Sequence, residues 1–110
     1  MKKLNLFYVY DNIGCTAITG IIPASNYLTA ALGFKNSYID KKDKTQNPYN
    51  YKGLTLICIG DVNVDSDGAM SFGDKINWEL SGKDIIQFIS DEFKARGIDD
   101  GFYNEPEENE

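Results

Sequence analysis

The order of apolar and polar positions along the chain predicts a strand, a helix, a pair of strands and a second helix. Residues 4–10 are rich in aromatic and β-branched side chains. Alternation places these side chains on two faces, one with Leu4, Leu6, Tyr8 and Tyr10 and the other with Phe7 and Val9. Because both faces are largely apolar, the segment predicts a central strand that is covered on both sides. Residues 15–22 fit either a short strand or an irregular connection.

A first helix is predicted after Pro23, where Ser25 or Asn26 can cap the free backbone amides. Its apolar stripe consists of Tyr27, Leu28, Ala31, Leu32 and Phe34, and the spacing of Tyr38 fits an extension of the same stripe. The following residues, 35–52, have the composition of turns and loops. We therefore expect a long connection of turns and loops between this helix and the next strand.

The second half of the chain predicts a hairpin and a helix. Residues 54–60 form the clearest strand pattern, and apolar side chains on both faces place this strand inside the sheet. The sequence Asp-Ser-Asp-Gly at 65–68 is a hairpin signal, after which residues 69–72 or 75–80 return antiparallel. A helix is predicted over 81–96, with Ser81 and Asp84 as a capping box. The apolar stripe of this helix consists of Ile85, Ile86, Ile89 and Phe93. This order predicts an α+β fold, a mostly antiparallel sheet of three to four strands covered by two helices.

Length and composition indicate one globular domain. The chain has 110 residues, of which 42% are hydrophobic and 25% charged, which is unlike a disordered or membrane-spanning chain. We assign residues 1–98 to a single α+β domain and residues 99–110 to an acidic C-terminal tail. Six of the 17 acidic residues lie in the tail, so the remaining 11 balance the 11 basic residues of the domain.

The acidic tail has two interpretations, a solvated end that aids solubility or a segment that contacts a basic partner by imitating nucleic-acid phosphate. The candidate partner-binding residues are Asp99, Asp100, Glu105, Glu107, Glu108 and Glu110.

The sequence assembles no catalytic site. Histidine, the most frequent general base, is absent. Cys15 and Cys58 form no CxxC pair, and the glycines do not form a phosphate loop. We therefore expect a nonenzymatic protein without a cofactor. The start of the chain is too briefly apolar for a signal peptide, and no apolar run reaches the length of a membrane span, so we expect an intracellular protein.

Residues 63–74 follow the spacing of a calcium-binding loop in part. The candidate ligands are Asn63, Asp65, Asp67 and Asp74, with Gly68 at the sixth position. The first position is Asn rather than Asp, the twelfth is Asp rather than Glu, and the flanks predict strands rather than helices. A hairpin turn rich in Asp and Asn accounts for the same residues, so we expect no metal.

A second constellation lies in residues 35–52, where five lysines outnumber two aspartates and alternate with tyrosines. Lysines that contact phosphates and rings that stack on bases are typical of single-stranded nucleic-acid binding. The candidate residues are Lys35, Lys41, Lys42, Lys44, Lys52, Tyr38, Tyr49 and Tyr51. The same residues also fit a solvated loop whose tyrosines pack over the edge of the core.

Several segments occur in an order that resembles a known family. They are Phe7-Tyr8-Val9-Tyr10-Asp11, the alanine-rich stretch 26–34, Asn47-Pro48-Tyr49-Asn50-Tyr51, and Leu56-Ile57-Cys58-Ile59-Gly60-Asp61 before Asp67-Gly68. Over residues 4–70 the chain is similar to the small nonstructural protein of gokushovirus-type microviruses, the single-stranded DNA phages. In that family a strand leads to a helix preceded by proline, and a loop then enters a hairpin.

The resemblance implies a nonstructural, nonenzymatic binding protein that acts in the phage genome cycle, in the cytoplasm of the infected host cell. Single-stranded DNA, contacted through residues 35–52, is one implied partner. The alternative is an inhibitor or adaptor that binds a host or viral protein, with the acidic tail imitating DNA. Two features depart from the family pattern, the helix over 81–96 and the acidic tail, whose charge opposes DNA binding.

Overall fold

An antiparallel sheet of five strands and two helices make up the part of the chain that a computed structural model describes, residues 2–41 and 49–97. The strands are β1 (Lys2–Asp11), β2 (Thr16–Ala17), β3 (Ile22–Ala24), β4 (Leu54–Val64) and β5 (Met70–Ser81), and the helices are α1 (Tyr27–Phe34) and α2 (Ile85–Ala95). The predicted α+β class is confirmed. The sheet exceeds three to four strands because residues 15–22, which the pattern left open, supply β2 and the first residue of β3, and β3 continues into the predicted helix entry as far as Ala24.

The strand order is β2-β1-β4-β5, and β3 also pairs with β1. Phe7 lies opposite Cys58, and Cys58 lies opposite Trp78, so one row of side chains crosses β1, β4 and β5. The prediction that residues 54–60 form an interior strand is confirmed, since β4 pairs with β1 on one side and β5 on the other. β5 is an outer strand of this sheet.

The core lies between the helices and one face of the sheet. Buried side chains of β1 and β4 pack in one cluster with α1 and α2; they include Phe7, Val9, Leu56, Cys58, Leu28, Ala31, Phe34, Ile85, Ile89 and Phe93. Neighbouring residues of β1 that alternate with Phe7 and Val9, such as Leu6 and Tyr8, are only partly buried. The expectation that β1 is covered on both sides is therefore wrong, because buried residues of both helices join the side chains of one face.

The two helices begin in different ways. The Asn26 side chain accepts a hydrogen bond from the Thr29 amide at 2.8 Å, so the predicted cap of α1 is confirmed. The predicted capping box of α2 is wrong. Neither Ser81 nor Asp84 makes a side-chain cap bond, and a 3₁₀ turn at Gly82–Asp84 leads into the helix instead.

Helix α1 does not end in a loop at Phe34. A π-helical turn, Lys35–Ile39, continues it directly. A 3₁₀ turn, Tyr51–Gly53, then precedes β4 and lies against the entry of α2. The expected long connection is therefore helical at both of its described ends.

An aromatic cluster joins four elements across the sheet. The rings of Tyr27 on α1 and Trp78 on β5 are stacked, with centroids 4.6 Å apart. Phe7 of β1 meets both rings edge-on, at 5.7 Å from Tyr27 and 6.1 Å from Trp78. Phe88 of α2 lies 5.7 Å from Trp78. Such pairs stabilise beyond their buried area, so this cluster fixes α1 and α2 on β1 and β5.

Candidate binding surfaces

Lys35, the first of the predicted phosphate-contacting lysines, lies in the core. Its side chain is 2% exposed, and its ammonium lies 2.8 Å from Oδ1 of Asp40. The expectation of an exposed loop lysine is wrong at this position because the π-helical turn continues α1. Residue 35 then follows Leu28 and Ala31 on the buried side of the helix. In this fold the buried Lys35 ammonium forms an ion pair with Asp40 of the same chain.

The three tyrosines predicted to stack on bases are partly buried and pack against the core. The ring of Tyr38 lies 5.1 Å from Phe34 and 6.5 Å from Tyr49. Burial raises the pKa of Tyr38 above its ordinary value, and the nearby Tyr49 adds to this effect. Tyr51 belongs to the 3₁₀ turn before β4. Their use as a stacking surface for bases stays a prediction.

Two of the predicted lysines are exposed in the described part of the chain. They are Lys41, after the π-helical turn, and Lys52, before β4. Lys42 and Lys44 lie outside the described residues. The acidic tail also lies outside them, including Asp99, Asp100, Glu105, Glu107, Glu108 and Glu110. Nucleic-acid contact by this stretch and partner contact by the tail stay predictions.

The residues of the partial calcium loop form the turn between β4 and β5. Oδ1 of Asp65 accepts hydrogen bonds from the amides of Asp67 and Ala69, both at 2.9 Å. Gly68 has a φ of +84°, a conformation that favours glycine. Asn63 lies within β4 and Asp74 within β5. Among residues 2–41 and 49–97, no three His, Cys, Asp or Glu side chains lie close enough to hold a metal ion.

Sequence reasoning missed an exposed apolar surface next to this turn. We call residues 62–72 the hairpin arm; they comprise the end of β4, the turn and the start of β5. Phe72 is 88% exposed and Met70 is 65% exposed on the outer strand β5. Phe72 borders a surface hollow of about 230 Å³ together with Leu6 and Ile59. The hairpin arm therefore presents a large ring to solvent beside two aliphatic side chains.

A buried carboxylate lies beside the same hollow. Asp61 of β4 is 5% exposed and forms an ion pair with the exposed Lys3, at 3.4 Å. Its Oδ1 also accepts a hydrogen bond from the Asp74 amide at 2.9 Å. The register of β4 and β5 shifts on both sides of Gly60, close to this bond. The only sequence signal for the site is one acid that follows an apolar strand.

The two cysteines are in different surroundings. Cys15 is exposed, and Cys58 is buried in β4. Cys15 adopts a φ of 57°, in the left-handed region, within the turn after β1.

Neither helix of the described residues combines the length and the apolar composition that a membrane-spanning helix needs.

The chain matches no protein-family model, no curated protein and no solved structure.

Proposed function

We propose that this chain is a nonenzymatic binding protein of the microvirus nonstructural type, which acts in the phage genome cycle by docking a protein partner on its hairpin arm. The observation that carries this proposal is the 88% exposure of Phe72 on an outer strand. Exposed apolar side chains that cluster mark interaction sites, and buried aromatic rings are frequent anchors of interfaces. A nucleic-acid surface has less support, since Lys35 and the three tyrosines contribute to the core.

The surroundings of Phe72 fit a protein rather than a nucleic acid. Asp74 and Lys75 follow it on β5, so charges of both signs border the apolar centre. An apolar centre with a polar rim is the usual anatomy of a protein interface. A nucleic-acid surface would instead carry an excess of positive charge. The partner is therefore a host or viral protein that places an apolar side chain against Phe72.

Site-specific crosslinking tests this proposal. The photoreactive residue p-benzoylphenylalanine replaces Phe72 in the full chain, and the same residue replaces Lys94 on the exposed side of α2 as a control. In a lysate of infected host cells, the first chain should form one defined protein adduct that persists after nuclease treatment, and the control should not. The identified protein is then purified, and Phe72→Ser should weaken its binding by about tenfold or more. Loss of the adduct on nuclease treatment, or equal affinity of Phe72→Ser, would contradict the proposal.

Single-stranded DNA is a second candidate partner, favoured by the exposure of Lys41 and Lys52 on either side of the segment that holds Lys42 and Lys44. Binding of a labelled oligonucleotide should then weaken steeply between about 50 and 200 mM salt. Lys52→Glu should reduce that salt dependence, while Phe72→Ser should not change it. A binding curve that is insensitive to salt would exclude this second function.

A further inference from the structure

A groove on the helix side of the sheet is independent of the hairpin arm. It lies between α1 and β3, has a volume of about 320 Å³, and has Phe7, Val9 and Leu56 of the sheet at its base. Phe34 and Tyr38 also line it. None of its lining residues borders the hollow beside Phe72. The groove is of the size found for small-molecule sites, whose volumes begin at about 300 Å³.

Gly33 forms part of the rim of this groove, and packing gives no reason for a glycine there. A Cβ atom at residue 33 would have no heavy atom within 4 Å outside its own helix and neighbours. Its backbone is that of a helix, where glycine is less stable than alanine because it loses more conformational freedom. On the same side of the helix, Thr29 and Ser37 are exposed and also line the groove. The absence of a side chain at residue 33 therefore leaves an opening between these two hydroxyls.

The lining determines which ligand fits. Among the described residues that border the groove, none carries a charge at neutral pH. The hydroxyl of Thr19 already accepts a hydrogen bond from the Val9 amide, at 3.0 Å, and donates one to the Gly20 carbonyl, at 2.8 Å. An ionised ligand would lose its hydration without a counter-charge, which is strongly unfavourable. An uncharged molecule would bury its apolar part against the accessible side chains of Ile22 and Tyr38 and leave a polar end near the rim.

We propose that the groove between α1 and β3 binds an uncharged small molecule that contains one or two rings. A cavity of about 150 Å³ holds one benzene ring, so a groove of about twice that volume has room for two. The ring of Tyr38, which is only partly buried, supplies an aromatic surface that favours such a ligand. The opening at Gly33 is the entry to the site.

A matched pair of fluorescent probes tests the proposal on the full chain. 5-Dimethylaminonaphthalene-1-sulfonamide is uncharged and has two fused rings, and 5-dimethylaminonaphthalene-1-sulfonate has the same ring skeleton with a negative charge. The uncharged probe should bind saturably at one site, and the charged probe should bind about tenfold or more weakly. Equal affinity for the two probes, or no saturable binding of the uncharged one, would overturn the proposal.

Variants locate the bound probe. Gly33→Leu fills the opening and should weaken binding of the uncharged probe by about tenfold or more, while the melting temperature stays the same or rises. Asn36→Leu adds the same side chain at an exposed position that does not line the groove and should leave binding unchanged. Phe72→Ser should also leave it unchanged, which separates this site from the proposed protein interface. Binding that is retained in Gly33→Leu or lost in Phe72→Ser would show that the probe lies elsewhere.

Discussion

Oδ1 of Asp61 accepts a hydrogen bond from the backbone amide of Asp74 at 2.9 Å, across the irregular part of the β4–β5 pair. Gly73, the residue before Asp74 on β5, lies next to the same carboxylate, since a Cβ at this position would be 1.9 Å from Oδ1 of Asp61. One buried carboxylate thus occupies the space that a side chain at residue 73 would need. This relation joins β4 and β5 at the base of the hairpin arm, next to Phe72.

We expect Asp61→Ala to lower the free energy of unfolding by about 1–3 kcal/mol, because the Asp74 amide loses its acceptor. Gly73→Ala should also destabilise the protein, by displacing the Asp61 side chain. The two changes should be coupled by about 0.5–3 kcal/mol, since Gly73→Ala costs less once the carboxylate is gone. Urea unfolding of the two single variants and the double variant measures this coupling. Strictly additive effects would contradict the arrangement.

Gly82→Ala should be among the most destabilising changes to a single glycine. A Cβ at residue 82 would lie 1.8 Å from the carbonyl oxygen of Tyr51, which is a backbone atom that cannot turn away. We expect a loss of about 3 kcal/mol or more, measured by urea unfolding. Gly20→Ala is the matched control, because nothing lies within 4 Å of a Cβ there. A Gly82→Ala variant as stable as Gly20→Ala would show that the 3₁₀ turns at Tyr51–Gly53 and Gly82–Asp84 do not pack this closely.

Lys35→Ala should lower stability, unlike a change of an exposed lysine. The Lys35 ammonium forms an ion pair with Asp40, and its hydrocarbon chain is buried. We expect a loss of about 1–3 kcal/mol, less than for a fully buried pair because Asp40 remains partly exposed. Lys52→Ala should change the free energy of unfolding by no more than about 0.5 kcal/mol. Equal losses in the free energy of unfolding for the two variants would show that Lys35 is not buried.

Stability should fall in alkaline solution through tyrosine ionisation. Burial, together with the nearby Cys58 and Asp61, raises the pKa of Tyr27 above its ordinary value of 10.0. The folded state therefore keeps a proton that the unfolded state releases, so the contribution of Tyr27 to stability is fully present below about pH 10 and is lost as the pH rises further. Urea unfolding at about pH 9 and pH 11 measures the loss, which Tyr27→Phe should reduce. Burial also raises the pKa of Tyr38, so part of the loss should remain. An equal loss in Tyr27→Phe and the unchanged chain would assign the effect to other groups.

The sequence pattern predicted the elements whose signals are local. The apolar stripe of α2, the Asn26 cap and the turn at residues 65–68 were all predicted from neighbouring residues, and the structure confirms them. The interior position of β4 was also predicted, because a run of apolar residues on both faces needs neighbours on both sides.

The remaining features depend on contacts between distant residues. A lysine is usually solvated, and only the π-helical continuation of α1 turns Lys35 into the core beside Asp40. Alternation alone could not show that Phe72 is exposed, because the register shifts near Gly60 change which residues of β5 lie opposite β4. A Cβ at Gly60 would approach the Asp74 carbonyl oxygen to 2.9 Å, a constraint visible only once the strands are paired. The groove beside α1 likewise arises from packing.

The position of β1 between β3 and β4 has a consequence for synthesis of the chain on the ribosome. The main partner of β1 runs from Leu54 to Val64, so the first strand emerges long before the strand that it pairs with most extensively. Until then, Phe7 and Val9 belong to a nascent segment whose available strand partners, β2 and β3, are short. The β4–β5 pair closes through a tight turn and can form as soon as it is released, because its contacts are local. We therefore expect β1, although it is synthesised before β4, to be fixed in the sheet only after the β4–β5 pair has formed.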